Sequence, residues 1–406
     1  MAVQGFSSFS GDASTYIAAK TLMRIKREVI VYGLGKKEKL PNQNSKTFQY
    51  TRYEKLALPQ SALTDGTTPS ESSMSISTVT AIMDQWGSFV NLSDVAQVAI
   101  KHPVIQEAIS VLAEQAAETI DREAIKVLLG NTSVFYPNAA TSRGTLAATD
   151  YLNSGAIRKA VSFLRGGGAR GYEGRMLMGL IDTSVEQDLN SDTSFVNAAS
   201  YSNIVVLQNG EVGKWLGVRF VVSNMIPTLV RLATPSSAGA NLGSLANSTT
   251  YYFKVTATDN SLGFEQKVTV EFTQATGAAD ESVDITMPAT TGFTYNVYAG
   301  SATGVLYLYS SGAAPSAVVN VASIPTSGNV PPATPAAGVT VHYSWILGME
   351  AFSCPELMSL QTFITDGKAS DSDPLAQRRK AGWKVMFKCV INNDAFLSRI
   401  ESASAY

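Results

Sequence analysis

Between about residues 234 and 338 the chain changes its alphabet. Ala, Gly, Ser, Thr and Pro dominate, and short β-branched or aromatic runs at 251–258, 267–272, 283–287, 294–298 and 305–309 stand between turn signals. Roughly a hundred residues of short strands is the pattern of a small β-sandwich. A pattern of helices and strands precedes this stretch and resumes at 343–348. The sandwich therefore interrupts another domain, which sandwiches tolerate because their termini lie at the surface. At 406 residues the chain is also longer than one ordinary domain.

The remainder reads as α+β. Pro103 suits a first helical turn and Gly130 a stop. Between them Ile105, Ile109, Leu112, Ala116, Ile120, Ala124, Val127 and Leu128 recur mostly at three- and four-residue steps. That spacing predicts a long helix, roughly 40 Å at 1.5 Å per residue. Its Glu107, Glu114, Glu118 and Arg122 read as a solvated face, not as paired acids. Residues 156–165 predict a helix and 176–181 a buried strand. A short helix over 183–189 is opened by Thr183 with Glu186 three residues on. Strands at 204–207 and 215–222 flank a turn starting at Asn209 and Gly210. Residues 383–391 predict a strand buried on at least one face.

Two segments have no core of their own. Residues 46–54 place Phe48 and Tyr50 on one strand face, and 74–80 place Met74 and Ile76 likewise. Between them 57–73 is mostly polar and turns at Asp65 and Gly66. A two-stranded hairpin is marginal alone in water, so a long one must dock on another surface, in a homo-oligomer a sister subunit. For the tip alone, a flexible surface loop stays open as the other reading. Residues 1–45 turn basic, with Lys20, Arg24, Lys26, Arg27, Lys36, Lys37 and Lys39 against Asp12, Glu28 and Glu38. Tyr16, Ile17, Leu22, Ile25 and Val29 add a rough helical stripe. This reads as an arm reaching a neighbouring subunit or packaged DNA, or equally as a solvated basic helix. Charged residues make up only 16% of the chain, against about 25% for an average soluble protein. Surface that faces protein instead of water would account for that. The net charge of -2 offers no global basic field for nucleic acid.

The search for chemistry returns little. Residues 166–171 satisfy GxGxxG, but a helix precedes and a strand follows, so no helix N-terminus meets a pyrophosphate. A flexible helix-to-strand loop is the better reading. There is no Walker lysine loop, no HExxH and no nucleophile beside a base. Asn131 and Asn247 match the glycosylation triplet by chance. Cys354 and Cys389 make no disulfide framework and no CxxC pair, and read as buried thiols. His102 and His342 read as incidental imidazoles, because a zinc site would need all four residues from separated segments. No catalytic residue, cofactor or metal is expected. No apolar run approaches the ~18 residues of a membrane span. The N-terminus lacks a basic-then-apolar signal, so folding in a reducing cytoplasm is expected.

Several stretches together resemble the major capsid proteins of tailed bacteriophages. Residues 63–69 (LTDGTTP) resemble the tip of their extended loop, and 84–94 (DQWGSFVNLSD) the approach to their spine helix. Residues 211–224 (EVGKWLGVRFVVSN) resemble the axial-domain hairpin. The segment 373–387 (DPLAQRRKAGWKVMF), continuing to 400–403, resembles the C-terminal strand of the peripheral domain. Each match is weak alone; their order and spacing are specific. Within the HK-ninety-seven fold the chain is similar to capsid proteins of the podovirus N-four type. Residues 249–257 and 293–300 resemble fibronectin type III or immunoglobulin-like modules, without the cysteine pair of a disulfide-bonded one.

The resemblance implies an α+β phage major-capsid fold with an all-β immunoglobulin-like insertion. The expected parts are an N-terminal arm (1–45), an extended hairpin loop and its return (46–100), a peripheral domain with the spine helix (101–150), an axial domain (151–228), the insertion (229–341) and a return to axial and peripheral domains (342–406). It implies a non-enzymatic subunit that forms hexamers and pentamers of an icosahedral virion shell around double-stranded DNA, assembled in the host bacterial cytoplasm. Extended-loop contacts would come from Leu63, Thr64, Asp65, Gly66 and Pro69, and arm contacts from Lys20, Arg24 and Arg27. Portal, scaffold and decoration proteins are implied partners; DNA would be held on the inner face without sequence specificity, and no membrane is involved. Maturation by rotation of the spine helix and hairpin is implied by the family alone. The competing reading is an adhesin or tail-surface protein whose sandwich binds host glycans, though an adhesin usually carries its sandwich terminally. A bacterial encapsulin shares the fold but would not need the insertion.

Overall fold

The computed structural model describes residues 30–40, 45–60, 62, 65–66, 68, 71–93, 104–172, 174–192, 213–365, 375 and 377–405. Two compact units divide the chain, Met1–Gly130 with Glu350–Asp394, and Asn131–Met349 with Ala395–Tyr406.

In the first unit one long helix lies across a three-stranded antiparallel sheet. The helix is Val104–Leu129, and it buries Leu112, Ala116, Ala124, Ile125 and Leu128. The sheet runs in the order Glu356–Thr365, Arg378–Phe387, Asp84–Ser93. On its central strand Ala381, Trp383, Val385 and Phe387 alternate as buried residues, the period-two pattern of a half-covered sheet. The Trp383 indole donates to Gln115 Oε1 of the helix at 3.2 Å, and the Arg122 guanidinium lies 5.6 Å from the centre of the Trp86 ring. Residues 84–93 are thus an edge strand of this sheet, paired throughout with Arg378–Phe387.

The hairpin forms from Thr47–Tyr53 and Ile76–Ile82, with Thr47 opposite Ile82. Phe48 and Tyr50 share one half-buried face, their ring centroids 4.5 Å apart. On the return strand the inward residues are Val79 and Ala81, while Ile76, and Met74 before it, face solvent. The face that they share is the outward one. Ala81, Met83 and Leu40 hold the stem against Leu357, Met386 and Val390. Phe352–Ser353 pairs with Val390–Ile391, and this register brings Cys354 and Cys389 to a Cα separation of 4.1 Å, joined as a disulfide. The expected buried thiols are therefore bonded. A separation of 35 residues in the chain gave no hint of it.

The second unit is built on Val341–Leu347, buried at every position. Leu397–Ser402 pairs along one edge, and Leu177–Ile181 and Thr228–Arg231 share the other. The helix Ser154–Gly166 packs on this sheet through Ala156, Ile157, Ala160, Val161 and Leu164, which meet Leu177, Ile181, Phe220, Ile346 and Ile400. Residues 215–222 are not one strand. Lys214–Trp215 and Val218–Val222 form a hairpin turned at Leu216 and Gly217, whose φ values of 51° and 79° suit a type I′ turn. The strand expected at 204–207 lies outside the described residues. The next helix is Thr183–Ser191, capped by Asp182 and not by Thr183: the Asp182 carboxylate accepts the Thr183 N–H at 2.8 Å. Its other oxygen lies 3.0 Å from Nδ1 of buried His342, so this imidazole is a structural partner.

The glycine-rich run ends the first of these helices as a Schellman motif. Ala169 N–H donates to Leu164 O and Gly168 N–H to Arg165 O, with Gly168 at φ +80°. Tyr172 N–H to Met176 O and Met349 N–H to Arg170 O fasten the rest. The loop expected to be flexible is tied by these hydrogen bonds, with the Gly167, Gly168 and Ala169 amides on helix carbonyls.

The strands from 236 to 321 make two layers. Thr250–Asp259 and Phe293–Ala302 pair in one, with Val305–Ala313 beyond; Ser282–Thr286 lies between Ser236–Ala240 and Val318–Val321 in the other. Phe253, Val255, Tyr295, Val297, Val283, Ile285 and Val321 fill the space between. Residues 267–272, read as one strand, are the ends of two, Glu265–Val268 and Phe272–Ala275. Glu265–Val268 pairs in parallel with Thr228–Arg231, so the first layer continues the sheet of the core.

A buried ionic cluster closes this unit. Arg143 donates to both Glu401 carboxylate oxygens at 2.6 Å, and Arg399 Nε lies 3.0 Å from Oε1. Burial alone would lower the Arg143 pKa, but the Glu401 hydrogen bonds overcome it and the net shift is upward. Burial pushes the neighbouring Tyr136 and Tyr343 phenols up to about 12.

Candidate functional site

Among the described residues no group of three or more His, Cys, Asp or Glu side chains is placed to hold a metal. Attention falls instead on surface that lacks a partner, and it is concentrated in the first unit. Beyond its stem residues 55–60 have no regular secondary structure, and Asp65 and Gly66 form a turn, the latter at φ +75°. Both are exposed. Leu63, Thr64 and Pro69, expected beside them, lie outside the described residues, as do Lys20, Arg24 and Arg27 of the arm. The hairpin presents Tyr53, Leu56, Leu58, Met74, Ile76 and Ile82 to solvent, Leu58 at 70% exposure. Apolar side chains exposed in a row on one element mark an interaction surface.

The three-stranded sheet carries a second such surface, on the face away from the long helix. Phe89 and Phe363, which both pair with Gly382, are exposed there. Phe89 and Phe363 border a concavity of about 620 Å³ with Gln85, Trp86, Lys380 and Trp383. Two glycines let its strands approach: a Cβ on Gly87 would sit 2.7 Å from Trp383 O, and one on Gly382 2.8 Å from Phe89 Cβ.

Where the arm emerges, the chain is tied to the long helix by a carboxylate that the sequence reading passed over. Asp121 is fully buried and accepts the Tyr32 N–H at 2.6 Å and the Ile30 N–H at 3.3 Å, at the start of the short helix Val31–Leu34. Burial raises its pKa, against the pull of these N–H groups. The Tyr32 hydroxyl donates to Glu356, and Lys37 Nζ lies 4.5 Å from the centre of the Tyr32 ring. Residues 36–40 then run beside the chain at 352–356, with Lys36 N–H on Phe352 O and Leu40 N–H on Glu356 O. A signal for Asp121 was present: it falls in step with Ala124, Ile125 and Leu128, a charge inside the apolar stripe.

A coreless hairpin, an exposed apolar sheet face and an arm clipped to a long helix define a shell-building subunit, one completed by its neighbours. The chain belongs to the phage capsid protein family, whose model matches residues 77–319, more than half of the sequence. It is a structural major capsid protein of the tailed-phage type, with the α+β HK-ninety-seven fold. Among solved structures, it is similar to the capsid of cyanophage P-SCSP1u at 13% identity over 96% of this chain and 93% of that one, with a TM-score of 0.57. The capsid of cyanophage Pam1 is 12% identical over 98% of each chain, with a TM-score of 0.56. The acid-stable capsid of Helicobacter pylori bacteriophage KHP30 is 11% identical over 99% of each, with a TM-score of 0.55. At such identities the likeness is one of fold. No curated protein matches the chain. The adhesin alternative is not favoured by these matches.

Proposed function

We propose that copies of this chain assemble as hexamers and pentamers into a closed icosahedral shell around double-stranded DNA, in the host bacterial cytoplasm, without catalysis. The hairpin carries this reading. It exposes six large apolar side chains and has too few strands to bury them itself. Docked across a sister subunit, it adds area to each interface, and obligate interfaces commonly bury above ~2,000 Å². The arm (1–45), held at its base by Asp121, would lie over a neighbour or reach the packaged DNA. The two-layered strands within 229–341 would be an immunoglobulin-like module on the shell exterior, since a bulky module inside would compete with DNA for volume. Portal, scaffold and decoration proteins complete the set of partners.

The test is electron microscopy of the sedimented protein, with and without a candidate scaffold. Closed shells or capsomer rings support the reading; monomers alone, even with scaffold, overturn it. Deleting residues 65–69 should leave a folded subunit that makes no particles.

A further inference from the structure

The glycine-rich run between the helix Ser154–Gly166 and the strand Leu177–Ile181 borders a second concavity, of about 640 Å³. Three arginines line it, Arg165 in the last helical turn, Arg170 in the loop and Arg175 before the strand. All three residues are exposed, and among the described residues none of them makes an ion pair or side-chain hydrogen bond. Arg165 is positioned by a close approach: a Cβ on Gly217 would fall 2.5 Å from its Nη2. Arg170 is fixed by the hydrogen bond from Met349 N–H to its carbonyl, 2.7 Å long. Among the described residues the lining includes no carboxylate and only Leu177 and Met349 as large apolar residues, so it offers little to an apolar ligand.

The basic surface extends beyond the cup. Residues 156–175 carry five cations, Arg158, Lys159, Arg165, Arg170 and Arg175, against the single carboxylate of Glu173, in a chain whose net charge is -2. Arg158 lies seven residues before Arg165, two turns along the same helix face and about 10 Å away at 1.5 Å per residue. A strip that long exceeds one phosphate ion and matches a polymer of phosphates. Guanidinium groups supply the planar, paired donors that phosphate oxygens take. The Gly167, Gly168 and Ala169 amides are already used in hydrogen bonds to the helix carbonyls.

We infer that this arginine cup is a phosphate-binding site for the backbone of double-stranded DNA, read without regard to sequence. The inference rests on the shell reading above, in which DNA is the enclosed polyanion. The test uses full-length wild-type protein, the triple variant R165Q/R170Q/R175Q and the charge-preserving R165K/R170K/R175K. Fluorescence anisotropy with two unrelated 30-bp duplexes, over a range of NaCl concentrations, gives the slope of log K against log salt. Each phosphate neutralised contributes about 0.9 to that slope. The Gln variant should lose roughly two to three units of it on both duplexes, and the Lys variant should keep most of it. A Gln variant with wild-type slope and affinity overturns the site, as does wild-type protein that binds neither duplex at low salt. Particle formation is scored separately by microscopy. A Gln variant that binds DNA normally but makes no particles overturns the site in favour of an acidic segment of a sister subunit. Absence of wild-type particles counts against the shell reading and leaves the DNA slopes to judge the cup.

Discussion

Glu401 is buried between two arginines, and a buried ionic group is held there only as long as its partners remain. Changing Glu401→Gln keeps the shape and removes the one negative charge, leaving Arg143 and Arg399 buried together. Breaking such a pair typically costs about 3–5 kcal/mol, so the variant should show a lower denaturant midpoint; an unchanged midpoint would show that the cluster opens to water. Asp121 gives a pH prediction. Its folded pKa lies above the ordinary carboxylate value because of burial. The linked stability is therefore fully present below the unfolded value, near ~3.9, and is lost as pH rises through the raised folded value. Relative to D121N, which does not titrate there, the wild type should gain stability as pH falls from 7 towards 4. A constant difference between the two melting curves would sink this assignment.

Among the elements, the disulfide joins the chain just before Glu356–Thr365 to the chain just after Arg378–Phe387, two neighbouring strands of the sheet. In the chain-entropy account, a closed loop of 35 residues restricts the unfolded chain by about 3–4 kcal/mol. Thermal unfolding of the oxidised protein should thus fall on adding reductant, and C354S/C389S should match the reduced protein and ignore reductant. If reductant leaves the wild-type curve unmoved, the two thiols are not bonded in solution. The Schellman turn shows why the elements were only partly legible. GxGxxG was read as a loop after a helix, and the structure has a helix there, but the role of Gly168 depends on a left-handed backbone that the letters alone do not specify. Likewise 215–222 looked continuous because Leu216 is apolar, while its positive φ breaks the strand into a hairpin.

For the whole molecule, the defining property is surface left for neighbours. Leu58, Met74 and Ile76 are exposed in the lone subunit, so replacing them with Ser, Ser and Thr should change monomer stability little. Surface substitutions of this kind usually stay within about 0.5 kcal/mol each. Particle yield after sedimentation should nevertheless collapse, since the same residues would be core in the shell. Particles formed at wild-type yield would remove the hairpin from the interface.

Periodicity by itself determined the long helix, the hairpin with its turn at Asp65 and Gly66, and most strands of the inserted stretch, because burial on one face writes a period of 3.6 or 2 into the letters. The order of short family-like stretches added the capsid fold. Only the tertiary structure decided the pairings between distant segments: Asp121 under residues 30–32, Cys354 with Cys389, Arg143 and Arg399 around Glu401, and the parallel seam between Glu265–Val268 and Thr228–Arg231. Each depends on which surfaces meet in space, and a local pattern carries no record of that.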